Sequence, residues 1–274
     1  MNLSFGYSPC PNDTYIFYAL AHGLIPCPHT FDISLADVEE LNGSAARGEL
    51  DICKVSVHAA AHILDEYMLL RAGGAMGYGV GPIIVSKSAQ TMADLQGKRI
   101  AIPGKNTTAN LLFTLHCKEA GIEWEPVEMV FDEVMPAVQS GQVDGGIVIH
   151  EGRFTYEQYG LRKLLDLGDW WDVFQGLPIP LGAIAVKRSL GMEVAKQVND
   201  AIRQSLEYSN AHPESAAEYI RTHAQEMDEA VVKSHIQTFV TDYSLNVGDD
   251  GAKAVEFLLQ EVVGEKLTEP VFLP

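Results

Sequence analysis

One nine-residue pattern occurs twice in this chain at an offset of 93 residues. The first copy is Gly48-Glu49-Leu50-Asp51-Ile52-Cys53-Lys54-Val55-Ser56, and the second is Gly141-Gln142-Val143-Asp144-Gly145-Gly146-Ile147-Val148-Ile149. In each, a glycine ends a helix of small residues, Leu or Val enters a sheet, Asp closes the turn, and a short apolar run follows as a buried parallel strand. A chain that spells this unit twice is expected to form two similar lobes. A second pair of segments agrees: Pro82-Ile83-Ile84-Val85-Ser86-Lys87 and Gly182-Ala183-Ile184-Ala185-Val186-Lys187 both read as extended strands leaving a turn. If both cross between lobes, residues 88–186 form an inserted smaller domain. Residues 1–87 and 187–274 then form one larger discontinuous domain, and the two crossings make a two-strand hinge.

The neighbouring segments supply the rest of an α/β fold. Leu3 and Phe5 alternate as a strand before the turn-rich Ser8-Pro9-Cys10-Pro11-Asn12-Asp13, after which Tyr15-Ile16-Phe17-Tyr18-Ala19-Leu20 reads as helix. Phe31, Ile33 and Leu35 mark a second strand, and strands interleaved with helices favour crossover connections. Within 88–186, Asp94-Leu95 reads as a short helix, Lys98-Arg99-Ile100-Ala101-Ile102 as a strand, and Asn106-Thr107-Thr108 as the opening of a helix carrying Leu111, Leu112 and Leu115. In the last third, Val194, Val198, Ile202 and Leu206 keep a helical period, as do Val231, Val232, His235, Ile236 and Phe239. Pro213 is expected to open a helix between them.

Charge and cysteine usage exclude whole classes of function. With 19 basic against 37 acidic residues the net charge is −18, the wrong sign for holding a phosphate backbone, so no nucleic-acid partner is expected. The earliest basic residue is Arg47, which leaves no positive segment of the kind that opens a secretory signal, and a cytoplasmic location is expected. Every apolar run is interrupted well short of the ~20 residues of a membrane span, so no membrane partner is expected. Cys10, Cys27, Cys53 and Cys117 are scattered without CxxC pairing, and no metal is expected. Gly77-Tyr78-Gly79-Val80-Gly81 lacks the Lys-Ser/Thr of a phosphate-binding loop and reads as a hinge turn, and neither GxSxG nor HExxH occurs.

In open α/β sheets ligands bind beyond the carboxyl ends of strands, so a two-lobed version is expected to bind in a central cleft. Four segments are expected to line it: residues 8–14, Lys54-Val55-Ser56, Lys105-Asn106-Thr107-Thr108, and His150-Glu151-Gly152-Arg153. Thr107 and Thr108 place hydroxyls and free N–H groups at a helix start, which suits a carboxylate but equally suits plain capping. Ser56 at the corresponding place in the other lobe favours binding. His150 ends an apolar run, so its imidazole can emerge into the cleft as a general base, or it can be held by a neighbouring backbone group. Of nine histidines it is the best placed, ahead of His58 and His116. Glu151 is read as facing solvent, and Tyr156, Trp170 and Trp171 as packing residues.

Taken together, Ser8-Pro9-Cys10-Pro11-Asn12-Asp13-Thr14, Pro103-Gly104-Lys105-Asn106-Thr107-Thr108, Ile149-His150-Glu151-Gly152-Arg153-Phe154-Thr155-Tyr156 and Thr241-Asp242-Tyr243-Ser244 resemble the 1,4-dihydroxy-6-naphthoate synthases of the futalosine route to menaquinone. The resemblance spans nearly the whole chain. It implies a type II periplasmic-binding-protein-like fold without an export signal, acting as a carbon-carbon lyase with no cofactor. It also implies a small-molecule carboxylate substrate, cyclic dehypoxanthine futalosine, converted to 1,4-dihydroxy-6-naphthoate and dihydroxyacetone. The family's base falls on His150, and its substrate contacts fall on Lys54, Val55, Ser56, Thr107 and Thr108. Ser8, Asn12, Asp13 and Arg153 are further residues expected along the cleft, with Asp13 the alternative base. A departure is Gly152, where the family carries Ser. Two other readings stay open: a cytoplasmic solute-binding module without catalysis, and the sibling chorismate dehydratase.

Overall fold

A computed structural model describes residues 1–224, 228–264, 266–267 and 270–274. The chain divides into two units, Met1–Gly77 with Pro180–Pro274, and Tyr78–Ile179. The strands in chain order are β1 (Asn2–Tyr7), β2 (Thr30–Leu35), β3 (Ile52–Ser56), β4 (Tyr67–Leu69), β5 (Ala75–Gly77), β6 (Ile83–Ser86), β7 (Lys98–Ile102), β8 (Trp124–Glu128), β9 (Gly145–Val148), β10 (Arg162–Asp166) and β11 (Ile179–Lys187).

The repeat in the sequence is a repeat in topology. The first unit holds a six-stranded sheet in the order β2-β1-β3-β11-β4, with β5 paired to β11; the second holds a five-stranded sheet in the order β8-β7-β9-β6-β10. In both, the first three strands are parallel and the next two are antiparallel to their neighbours. The two Asp residues of the repeated pattern do the same work. Asp51 Oδ2 accepts from Ser4 N at 3.0 Å, and Asp144 Oδ2 accepts from Arg99 N at 3.0 Å, so each carboxylate clamps the start of the strand beside it. Gly48 and Gly141 precede them at φ +64° and +78°, a conformation that costs a side-chain-bearing residue energy and glycine none.

The crossings fall earlier than the expected 87/88 and 186/187. β6 pairs with β9 and β10 and so belongs to the second unit, while β11 pairs with β3 and β4 and belongs to the first. The two segments taken as crossings are each the antiparallel strand of a sheet, and the chain passes between units at 77/78 and 179/180. Two other expectations shift. The first helix is Pro11–Ala21, so Pro11, Asn12 and Asp13 form its first turn instead of a loop; proline at N1 lacks only an N–H that has no helical partner there, and Asp13 suits the positive helix end. Pro213 lies in a turn, and the helix after it begins at Ala217.

Each unit has its own core. In the first, Phe5, Tyr7, Phe17 and Ile52 are fully buried with Ile184, Val186, Val198 and Ile202 from the returning segment. In the second, Ile83, Val85, Ala101, Val134, Val138 and Val148 close together. Among the described residues no helix is long and apolar enough to cross a membrane.

Candidate functional site

In the first unit the carboxyl ends of β1 and β3 carry a group of buried polar residues. Ser8 follows β1, and Asn12 and Asp13 stand in the first turn of Pro11–Ala21. Lys54 lies inside β3, a strand otherwise suited to complete burial, and is 6% exposed. Its ammonium is matched by the Asp13 carboxylate: Lys54 Nζ donates to Asp13 Oδ1 at 2.6 Å and to the Gly73 carbonyl at 3.2 Å. Asp13 Oδ1 also accepts from Asn12 Nδ2 at 3.0 Å, while Oδ2 accepts from Ser8 Oγ at 2.8 Å and Ser8 N at 3.3 Å. Taking an ion out of water costs several kcal/mol, and the donors around Asp13 offset that cost. A carboxylate so engaged serves as a fixed acceptor, which argues against Asp13 as the mobile base.

Gly73 is held for this purpose by the Thr241-Asp242-Tyr243-Ser244 segment. Gly73 N donates to the Ser244 carbonyl at 2.8 Å, Ser244 Oγ donates to the Gly74 carbonyl at 2.9 Å, and Thr241 Oγ1 donates to the Met76 carbonyl at 2.7 Å. At φ +84°, and with a Cβ there falling 2.8 Å from Ile184 Cγ1, position 73 requires glycine.

Ser56 ends β3 and opens the short helix Val57–Ala60. Asn42, 2% exposed, brackets it: Ser56 N donates to Asn42 Oδ1 at 2.9 Å, and Asn42 Nδ2 donates to Ser56 Oγ at 3.3 Å. The hydroxyl therefore accepts from the amide and keeps its own proton for an acceptor elsewhere. Between Lys54 and Ser56, Val55 is fully buried and paired with Ala183, which fixes the register of both neighbours.

In the second unit Thr107 and Thr108 lie at the start of the helix Thr108–Ala120 and are 3% and 2% exposed. Thr107 Oγ1 accepts from Asn110 N at 3.3 Å and donates to the Gly104 carbonyl at 2.8 Å, so it does serve as a cap. Its topological counterpart is Cys10, which precedes the helix after β1, and not Ser56, whose counterpart by the repeat is Ile149.

His150 stands just past β9 at φ +54°, the one positive φ outside glycine among the described residues. Such backbone is uncommon for a side-chain-bearing residue and tends to collect at functional positions, where the surrounding structure holds it. The ring of Phe131 meets the imidazole edge-to-face at 4.8 Å. Glu151, expected in solvent, is 7% exposed and precedes the helix Gly152–Thr155. A Cβ on Gly152 would fall 2.5 Å from Val148 Cγ1, so Ser in its place requires Val148 to move. Arg153 turns into its own unit: it donates to the Gly81 carbonyl and, at 2.9 Å, to Asp166 Oδ2, which also takes Lys163 at 3.2 Å. Arg153 thereby ties the Gly81 turn to Asp166. His116, packed edge-to-face on Trp170 at 5.3 Å, has its imidazole pushed below the ordinary range by burial, against the pull of Glu119.

Asn42, Gly73 and His235 escaped the sequence reading. None has a local motif, and His235 sits at helical spacing among apolar residues, where it reads as core.

The menaquinone biosynthesis family matches residues 3–263. The chain belongs to that family. It is 44% identical to a 1,4-dihydroxy-6-naphthoate synthase of Thermus thermophilus over 98% of this chain and 96% of that protein, and 46% identical to one of Streptomyces coelicolor over 97% and 94%. A solved protein of Archaeoglobus fulgidus matches this family member with TM-score 0.89 at 37% identity, over 96% of this chain and 98% of that one. A Candida albicans protein described as having the generic periplasmic binding protein fold matches with TM-score 0.70 at 14% identity, over 99% and 93%, and it shares the fold alone. The α/β architecture expected from the sequence is thus the fold of periplasmic binding proteins.

Proposed function

We propose that the chain is a 1,4-dihydroxy-6-naphthoate synthase, a cytoplasmic carbon-carbon lyase that converts cyclic dehypoxanthine futalosine to 1,4-dihydroxy-6-naphthoate and dihydroxyacetone. The observation that carries the chemistry is His150, held in the left-handed region at the carboxyl end of β9. A solute-binding module has no need of a titratable side chain at a strained position; a proton acceptor does. Identity of 44% and 46% to two synthases over nearly the whole chain supports the reading.

In this reading the neutral imidazole takes one proton from the spiro-fused sugar portion. The electron pair left behind opens the ring and breaks the carbon-carbon bond, and aromatisation of the naphthalene system drives the step. In the first unit Lys54 offers an acidic substrate an ammonium proton and Ser56 a hydroxyl proton; in the second, Thr107 and Thr108 offer an anion the positive end of the helix Thr108–Ala120. A cation at Lys54 matters in a chain of net charge −18, which repels an anionic substrate at long range.

The test is incubation of the purified chain with cyclic dehypoxanthine futalosine and chromatography of the mixture. Appearance of 1,4-dihydroxy-6-naphthoate with an equimolar amount of dihydroxyacetone supports the reading. Saturable binding with the compound returned unchanged supports a binding module and overturns it.

A further inference from the structure

His235 lies in the helix Glu229–Phe239 and is 1% exposed. Histidine is seldom so fully buried, and a buried polar group needs a hydrogen-bonding partner. Its Nε2 is 2.8 Å from Asn12 Oδ1. The Asn12 amide has its orientation set from the other side, because Nδ2 donates to Asp13 Oδ1 at 3.0 Å. Asn12 Oδ1 must therefore accept, and His235 Nε2 carries the proton. A turned-over amide would set its oxygen against the Asp13 carboxylate, so the imidazole N–H selects the one orientation in which Asn12 supports Asp13.

Asp13 passes this constraint to Lys54. Two of the three ammonium protons of Lys54 go to Asp13 Oδ1 and the Gly73 carbonyl, and the third has a fixed direction once those two are placed. Ser8 holds the opposite carboxylate oxygen, so Asp13 cannot rotate without losing bonds on both sides.

We infer that His235 is a positioning residue for the ammonium of Lys54, acting through Asn12 and Asp13; this rests on the reading of Lys54 as a substrate contact. His235 touches no reacting atom. Protonation of its other nitrogen leaves the Nε2 donor in place, so its signature is substrate affinity and not a pH shift.

The experiment compares KM and kcat of the full chain with cyclic dehypoxanthine futalosine for the native protein, His235→Leu, His235→Gln, Lys54→Met and the His235→Leu/Lys54→Met double variant. His235→Leu raises KM about tenfold while kcat stays within about threefold, the pattern of lost ground-state binding. His235→Gln, whose amide N–H can stand where Nε2 stood, restores most of the affinity. In the Lys54→Met background, His235→Leu changes KM by less than about twofold, because the group it positions is gone. A purely structural role would lower the folded fraction and add in full to Lys54→Met. If His235→Leu does not fold, Asn12→Ala cuts the same link and carries the same expectation. An unchanged KM in His235→Leu, or full additivity in the double variant, overturns the inference while native turnover leaves the functional reading standing. A native chain with no turnover overturns both.

Discussion

Replacing Lys54 with Met removes one member of an ion pair whose side chains are 7% and 2% exposed and whose charged atoms are 2.6 Å apart. An exposed pair is worth about 0.2 to 1 kcal/mol, whereas breaking a buried pair from one side costs about 3 to 5 kcal/mol, because the remaining charge is stranded. Asp13 keeps its donors from Ser8 and Asn12, which places Lys54→Met near the lower end, about 3 kcal/mol. Asp13→Asn leaves the ammonium with the Gly73 carbonyl and the ring of Phe17 at 5.9 Å and costs a similar amount. The double variant Lys54→Met/Asp13→Asn strands no charge, so its loss falls short of the sum by about 2 kcal/mol. Urea unfolding measures this, but the probe matters. Trp124, Trp170 and Trp171 are the chain's three tryptophans and all lie in Tyr78–Ile179, so their emission reports the other unit. Peptide-level hydrogen exchange over Pro11–Ala21 and Met192–Ala211 reads the unit that contains the pair. A loss below about 1 kcal/mol for Lys54→Met, or strict additivity in the double variant, refutes a desolvated pair.

His150→Asn keeps size and some hydrogen bonding but cannot accept a proton, so kcat falls about 100- to 10,000-fold with folding intact, measured by product release; near-normal kcat would make His150 structural. Ser56→Ala and Thr107→Ala raise KM, each by an amount equivalent to about 1 to 3 kcal/mol, and Thr107→Ala also costs about 1 kcal/mol in urea because it removes a helix cap. Burial lowers the His116 imidazole in the folded chain, so the unfolded chain binds the proton at higher pH and stability falls as pH drops through about 6.5. His116→Gln flattens that slope; the emission of neighbouring Trp170 follows it, and an unchanged slope would show that His116 is not its source.

Much of the fold was legible because two physical signals repeat. Glycine at a left-handed turn and Asp at a strand entrance mark both central strands, and their spacing alone implied two matching sheets. The crossings were misplaced because an extended apolar segment looks the same whether it joins two units or completes one sheet; only the pairing of β6 with β9 and of β11 with β3 decides. His150, Thr107 and Ser56 stand out as candidates in the sequence because each falls at a strand end or a helix start, where the structure also places them. The partners of Arg153 were not legible, since Gly81 and Asp166 are distant in sequence and no local pattern announces an ion pair. Asn42 and His235 were invisible for the same reason: a buried amide or imidazole gains its meaning from a partner such as Ser56 or Asn12, brought near only by folding.

The position of β11 has a consequence for synthesis. It lies between β3 and β4, so the larger unit cannot complete its sheet until residue 187 has left the ribosome, while Tyr78–Ile179 is contiguous and can close as it emerges. Throughout that interval β3 is an open edge, and an apolar edge invites pairing with another nascent chain. Lys54 stands in the middle of that edge, opposite the place Ile184 will later take. A charge in the middle of an open strand edge is the kind of feature that opposes intermolecular pairing, and it sits on the edge that stays open longest.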